Sequence, residues 1–168
     1  MSLATALFRS SFPVISPSKV AAVCYRRTGS ELEFLLVNTG SGKWTFPKGN
    51  VEPHLGASQS AALEAFEEAG VKGWISDHHF DCYRHEKGDA EHLVAAYLML
   101  VRQMFTPEES NRNPTWFSVD EAKRKLAKRR SERYAQEFAR VVDRAVEMLA
   151  IPVPGTPWTR LAAAPSFS

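Results

Sequence analysis

Three glutamates near the middle of the chain are spaced so that they would share one face of a helix. Glu64, Glu67 and Glu68 lie within segment 48–71, and Glu64 follows Gly49 by fifteen residues. Helical geometry places the three carboxylates within an arc of about 100°. Like charges at this spacing repel each other, and a hard cation such as Mg²⁺, which prefers oxygen ligands, would neutralise them. The spacing therefore fits a metal site for phosphate chemistry, with a solvated acidic helix face as the alternative.

Several strands are predicted around this segment. Residues 19–27 and 32–39 are short and rich in Val, Leu, Tyr and Phe, and the turn signal Thr-Gly-Ser-Glu between them predicts a hairpin. Segment 73–103 reads as two or more strands with a turn near Gly88-Asp89. Its second strand is almost wholly apolar, which predicts a central position in the sheet. A further short strand is predicted over 116–119.

The glutamates themselves belong to a predicted helix. It should start at about Gly56 or Ser58 and end at Ala69, because the segment is rich in alanine and glutamate and Gly70 suits a helix C-cap. Two more helices are predicted, over 118–130, capped by Ser118 or Asp120, and over 131–150, capped by Ser131. Apolar residues recur at intervals of three and four in the second of them and predict a core-facing stripe of Tyr134, Phe138, Val141, Val142, Ala145, Met148 and Leu149. Strands interrupted by one helix and followed by two others predict an α/β domain with a mixed sheet between helices.

Length and composition are those of one globular domain. The chain has 168 residues, of which 44% are apolar and 24% charged. A net charge of +2, with opposite charges interspersed, does not indicate a nucleic-acid-binding protein. The domain is expected to span 17–150, between an irregular N-terminal extension over 1–16 and a Pro-rich C-terminal tail over 151–168.

The same sequence favours a cytoplasmic protein. No apolar run approaches the roughly twenty residues of a membrane-spanning helix. Cys24 and Cys82 are far apart and outside any Cys-x-x-Cys spacing, which favours a reducing compartment over a disulfide framework. Oligomeric state, monomer or homodimer, is left open.

The segment that holds the glutamates resembles the Nudix box, G-x5-E-x7-R-E-U-x-E-E-x-G-U with U an apolar residue. The positions in register are Gly49, Glu64, Ala65, Glu67, Glu68, Gly70 and Val71. A preceding Phe-Pro-Lys-Gly and a later Trp-Phe extend the likeness to about residues 19–150, and the look is closest to the branch of diadenosine polyphosphate and diphosphoinositol polyphosphate hydrolases. Two box positions differ, since Leu55 replaces the early glutamate and Leu63 replaces the arginine.

The resemblance implies a Nudix-type α/β/α sandwich and a hydrolase that cleaves a pyrophosphate bond in a nucleoside diphosphate linked to a further group. Mg²⁺, with Mn²⁺ as a substitute, would be the cofactor. Glu67 and Glu68 would be metal ligands, Glu64 a ligand or base, and the backbone carbonyl of Lys48 a further ligand. A glutamate from the loop before the late aromatic strand, Glu109 or Glu108, would assist as base or extra ligand; a solvated loop pair is the alternative.

Both leucines fall where the family has charged residues that are thought to pair. Removing one partner of a buried ion pair strands a charge, whereas replacing both by apolar groups can be neutral. The hypothesis is that Leu55 packs on Leu63 and holds the loop to the helix, which leaves Glu64 less firmly oriented.

Basic residues provide candidates for binding an anionic substrate. The ammonium of Lys48 and the side chains of Arg84, Arg129 and Arg130 could contact phosphate, because the planar fork of arginine matches phosphate oxygens. Arg129 and Arg130 belong to a basic run over 123–133, for which a solvated helix face is the alternative. The expected partner is an anionic small molecule with a pyrophosphate linkage, and RNA is the other anionic candidate.

A second function class stays open. A catalytically weak or inactive Nudix-fold module would bind a polyphosphate ligand or RNA without cleaving it, since a fold does not fix an activity.

Overall fold

The computed structural model describes residues 16–150. The predicted N-terminal extension, apart from residue 16, and the predicted C-terminal tail lie outside the described residues. The elements in chain order are β1 Lys19–Thr28, β2 Glu31–Asn38, β3 Trp44–Thr45, β4 Lys48–Asn50, α1 Ala57–Ala69, β5 Val71–Ile75, β6 Asp81–Lys87, β7 Ala90–Met104, β8 Thr115–Ser118, α2 Val119–Ala127 and α3 Glu132–Ala150. Among these residues, no helix is long and apolar enough to cross a membrane.

The sheet is mixed, as predicted. Its main strand order is β3-β2-β1-β7-β5, with β4 on β1, β6 on β7 and β8 on β2. The hairpin of β1 and β2 is antiparallel, whereas β1 and β7 run parallel. The apolar strand β7 is central, since β1 lies on one side and β5 and β6 share the other. These pairings confirm the strand pattern read from the sequence.

Side chains alternate across the sheet and build a core on each face. Along β1, Val20, Ala22 and Cys24 pack towards α1, while Ala21 and Val23 belong to the core under α2 and α3. The α1 core also contains the alanines Ala61, Ala65 and Ala69. Their small side chains let the helix lie close to the sheet, and this explains why alanine is accepted at the apolar box position 65.

The helix boundaries agree with their predicted caps. Gly70 ends α1 in the left-handed conformation (φ 67°), and its amide donates to the carbonyls of Ala65 and Phe66. Ser118 caps α2 by accepting from the amide of Glu121. In α3 the predicted apolar stripe is buried at Phe138, Val141, Val142 and Ala145. The α/β/α sandwich is therefore confirmed.

Tyr134, predicted in the same stripe, lies elsewhere. Its hydroxyl donates to Glu91 Oε2 at 2.7 Å, and the ring lines the cleft described below. The helix turns this position out of the core, so the predicted packing role was wrong for Tyr134.

Candidate active site

The predicted acidic helix face lines a cleft of about 870 Å³. Glu64, Glu67 and Glu68 lie on the wall that α1 provides, and Glu109 joins them from the loop after β7. Glu108 does not line the cleft. The structure thus brings the three helix glutamates together with one of the two loop glutamates named from the sequence, while their chemical roles stay predictions.

Gly49 is where the loop and the helix approach most closely. It lies in β4, and a Cβ at this position would collide with the Glu64 carboxylate. Only a residue without a side chain leaves room for that carboxylate. The position of Glu64 therefore requires glycine at position 49, because the carboxylate occupies the space that a Cβ would need.

Glu68 is the most buried of these acids, with 5% of its surface exposed. Its position on α1 borders the buried alanines Ala65 and Ala69. The Lys48 amide donates to Oε2 at 3.3 Å, and Arg112 Nη2 lies 3.4 Å from Oε1. Burial raises the pKa of Glu68 to about 7, against the opposing effects of Arg112 and Lys48.

Burial, followed by the charges of neighbouring glutamates, also raises the pKa of the other two helix acids. For Glu64 the pKa rises to about 7, first because of burial and then because of the charges of Glu68 and Glu67. For Glu67 the rise comes first from burial and then from Glu108 and Glu109. Acids held this close favour either a proton or a cation.

The donors fit a hard divalent cation. Carboxylate oxygens and a backbone carbonyl are the ligand types that Mg²⁺ accepts. The close contact between the Glu64 carboxylate and Gly49 shows that this helix acid lies against the loop. Across residues 16–150, no three acidic, histidine or cysteine side chains already converge at metal-binding distances. Binding would therefore require side-chain rotations of the clustered glutamates.

Arg112 is the member of this wall that no sequence pattern indicated. Its Nε donates to Glu109 Oε2 at 2.7 Å, and its guanidinium also faces Glu68. It follows the loop acids in an irregular segment without periodicity, so only the folded loop reveals where it points.

Basic residues line the same cleft and are called the basic wall below. They are Lys19, Lys43, Lys48, His85, Lys87, Arg129 and Arg130, with Glu86 among them. Burial is the main cause that lowers the pKa of Lys48 to about 8, partly countered by Glu68. Burial and then the charges of Lys48 and Arg130 lower the pKa of His85 to about 3, so this imidazole is neutral at physiological pH. Lys19, Lys43 and His85 were not among the predicted site residues.

Arg130 is the most deeply placed arginine of the basic wall. Its guanidinium carbon lies 4.5 Å from the centroid of Phe138, and Nη1 donates to the Leu126 carbonyl at 2.6 Å. Its Nη2 is buried without a hydrogen-bond partner among the described residues. A buried donor of this kind is costly to leave unpaired, which makes it a candidate for an anionic ligand.

The other predicted arginines differ in placement. Arg129, in the left-handed conformation (φ 61°), lines the cleft and donates to the Ser41 carbonyl at 3.3 Å. Arg84 is not among the lining residues, and its guanidinium pairs with Glu91 at 3.3 Å. Elsewhere in the basic run, Lys123 pairs with Asp143 at 2.8 Å. Much of this run is a solvated face, since Arg124, Lys128 and Arg133 are exposed. Arg129 and Arg130, the last two arginines before α3, line the cleft.

Comparison with curated proteins finds diphosphoinositol polyphosphate phosphohydrolases. The rat phosphohydrolase 2 is 32% identical over 110 residues, covering 62% of this chain and 59% of the relative. The human phosphohydrolase 3-alpha is 29% identical over 110 residues, covering 62% and 65% respectively. The chain thus spans less than two thirds of the length of these curated relatives.

Solved structures support the fold. An Ap4A hydrolase from C. elegans in a binary complex superposes with a TM-score of 0.63 at 23% identity, covering 80% of this chain and 98% of that one. A NUDIX hydrolase from Nitrosomonas europaea gives 0.59 at 22%, covering 78% and 90%. The NUDIX domain model matches residues 17–138. With this match, the box glycines and the clustered glutamates in place, the chain belongs to the NUDIX domain family.

Proposed function

We propose that this protein hydrolyses a pyrophosphate bond in a metal-dependent reaction. The observation that carries the proposal is one cleft lined both by an acidic wall, Glu64, Glu67, Glu68 and Glu109, and by the basic wall. Phosphoryl chemistry needs both, because the reacting phosphate must be neutralised and the rest of the anion must be held.

The acidic wall would hold the cation. Glu64, Glu67, Glu68 and the carbonyl of Lys48 are the proposed ligands of Mg²⁺, or of Mn²⁺ in its place. A bound ion neutralises phosphate oxygens and acidifies a coordinated water. Glu64 or Glu109 is then the proposed base, placed to accept the proton of the attacking water.

The basic wall would hold the substrate. Lys48 would meet a phosphate as a point charge, and Arg129 and Arg130 through their planar forks. The buried Nη2 of Arg130 has no hydrogen-bond partner among the described residues and would gain one from a phosphate if the side chain turned into the cleft that it lines. Arg84 has the weakest case, because its guanidinium pairs with Glu91 and it does not line the cleft. A dinucleoside polyphosphate or a diphosphoinositol polyphosphate has several phosphates that could each contact a residue of the basic wall. The names of the relatives point to the same two classes of substrate.

Turnover assays test the proposal. Purified protein is incubated with dinucleoside polyphosphates, diphosphoinositol polyphosphates, nucleoside triphosphates, ADP-ribose and triphosphorylated RNA, with and without Mg²⁺. Turnover should require Mg²⁺ and should disappear in Glu68→Gln, whereas Glu31→Gln, an exposed acid at the β1–β2 turn, should retain it. If the wild-type protein turns over none of these compounds, the proposed hydrolase activity is rejected.

One observation favours a second function, that of a binding module. Arg112 already faces Glu68 and Glu109 as an internal cation, and Leu55 and Leu63 replace two charges of the box. A module of this kind would bind a polyphosphate or RNA tightly and independently of Mg²⁺, without cleaving it. Calorimetric titration with and without EDTA distinguishes the two functions.

We further propose a reducing, cytoplasmic compartment, because Cys24 and Cys82 are both free thiols. Cell fractionation tests this placement.

A further inference from the structure

The guanidinium in the acidic wall comes from a loop and not from helix α1. Arg112 lies between β7 and β8, with about a quarter of its side chain exposed. Its Nε donates to Glu109 Oε2 at 2.7 Å, and its Nη2 lies 3.4 Å from Glu68 Oε1. One side chain thus joins a loop acid to a helix acid.

Arg112 is itself fixed at both its backbone and its side chain. The Asn38 amide donates to the Arg112 carbonyl at 2.6 Å, and Nη1 donates back to the Asn38 carbonyl at 3.3 Å. The next residue, Asn113, has φ 47°, a left-handed conformation that asparagine tolerates better than most residues. The arginine is therefore anchored to the end of β2 and has limited freedom to leave the cluster.

The loop acid is held in place by the same turn. The Glu109 amide donates to the Glu67 carbonyl at 3.0 Å, and the Arg112 amide donates to the Glu109 carbonyl at 3.3 Å. These bonds place Glu109 in the cleft, whereas Glu108 lies near Glu67 but does not line the cleft. The remaining freedom of Glu109 is rotation of its side chain, which the Arg112 Nε fixes.

We propose that Arg112 is a positioning residue that recruits Glu109 to the cation-binding carboxylates and orients Glu68. The inference rests on the proposed metal site and goes beyond it, because it assigns the orienting guanidinium to the loop. The corresponding helix position holds Leu63, which has no charge to contribute. Only a planar fork reaches Glu109, Glu68 and the Asn38 carbonyl together, so lysine cannot replace it.

A charge-only role for Arg112 makes the opposite prediction. If the arginine merely neutralised the acids, lysine would serve equally well, and removal of the positive charge would strengthen cation binding. Arg112→Lys keeps the charge and removes the fork, so it separates the two roles.

The test is a Mn²⁺ titration of the substrate-free protein, with free Mn²⁺ followed by electron paramagnetic resonance. The proteins are wild type, Arg112→Lys, Glu109→Gln, the double variant, and Glu108→Gln as the matched loop control. Arg112→Lys and Glu109→Gln should each weaken Mn²⁺ binding by about 10-fold, the lower end for residues that orient metal ligands. The double variant should bind Mn²⁺ no more weakly than the weaker-binding of the two single variants. The reason is that Glu109 is already misplaced once the guanidinium of Arg112 is absent. Glu108→Gln removes the same charge near Glu67 but no group that lines the cleft, so it should bind Mn²⁺ clearly more tightly than Glu109→Gln.

Thermal unfolding in EDTA checks that each variant folds. If Arg112→Lys does not fold, Glu109→Gln and Glu108→Gln still test the proposal, because it is overturned if these two variants bind Mn²⁺ equally well. Wild-type Mn²⁺ affinity in Arg112→Lys, or single effects that multiply in the double variant, would overturn the proposal. If Mn²⁺ binding gives these results but no substrate is turned over, the hydrolase proposal is rejected and the positioning role of Arg112 is retained. If the wild-type protein binds no Mn²⁺, both proposals are overturned.

Discussion

At the scale of single residues, the site depends on which side chains are absent as much as on which are present. Gly49 has no side chain where a Cβ would occupy the place of the Glu64 carboxylate. Gly70 has the same relation to the Phe105 carbonyl and also needs its left-handed φ of 67°. Each glycine therefore has a steric reason that can be tested by adding one methyl group.

Gly49→Ala should displace Glu64 and weaken Mn²⁺ binding by about 10-fold, the scale expected when a ligand loses its orientation. Calorimetric titration with Mn²⁺ measures the change. Gly56→Ala is the matched control, since a Cβ at Gly56 meets nothing within 4 Å. Equal Mn²⁺ affinity in the two variants would show that the contact with Gly49 does not position Glu64.

Stability of the metal-free protein should depend on pH through Glu64 and Glu68. Burial raises the pKa of both from 4.5 to about 7, so the folded protein holds these protons more tightly than the unfolded chain does. Their stabilising contribution is complete below pH 4.5 and is lost as the pH rises through about 7.

Thermal unfolding in EDTA between pH 5 and pH 8 measures this loss, and Glu64→Gln should reduce it because one of the two titrating groups is gone. Adding Mg²⁺ should recover stability at pH 8 more than at pH 5, since the cation competes with the protons. A melting temperature that rises through this range in wild type, and equally in Glu64→Gln, would contradict the assignment.

At the scale of elements, helix α1 combines packing and chemistry on adjoining faces. Ala61, Ala65 and Ala69 pack on the sheet, and the neighbouring position 68 is consequently buried although it is charged. Leu55 and Leu63 are both half-buried. This exposure is compatible with the hypothesis that they pack on each other, and the contact itself stays a prediction.

A double-mutant cycle tests that contact. Leu55→Ala and Leu63→Ala should each lower the free energy of unfolding, and the double variant should lose less than the sum by about 0.5 kcal/mol or more, because both singles remove one shared contact. Urea denaturation measures the four values. Strict additivity would show that the two leucines stabilise loop and helix independently.

At the scale of the whole molecule, one cleft combines charges of opposite sign. The acidic wall comes from α1 and the loop after β7, while Lys19, Lys43, Lys87 and Arg129 belong to the basic wall. Such a field attracts the anionic end of a substrate and offers the cation site to its reacting phosphate.

Salt should therefore weaken binding of a highly charged substrate more than binding of a lightly charged one. Between about 50 and 300 mM KCl, KM should rise more steeply for a diphosphoinositol polyphosphate than for ADP-ribose, because screening acts on each phosphate contact. Lys43→Gln should reduce the steepness for the first substrate, with Lys128→Gln on the solvated part of the basic run as control. Equal salt dependence for both substrates would contradict a role for the basic wall.

Most of the fold could be predicted from local patterns. The hairpin, the central apolar strand, the limits of α1 and the caps at Gly70 and Ser118 all follow from periodicity and turn residues. Tyr134 could not be predicted, because helical spacing alone does not show where the apolar stripe of α3 ends and the cleft begins.

The acidic triad, its glycine and the family could be identified from the sequence alone, because these depend on spacing along one helix and one turn. The fold was needed to show that Glu68 is buried, that Glu109 joins the wall, and that Arg129 and Arg130 line the cleft while Arg84 does not. The fold was also needed to find the contacts of Arg112, whose partners Asn38 and Glu68 are distant in the chain. Local spacing specifies an element, whereas contacts between distant segments depend on how the sheet and its loops bring them together.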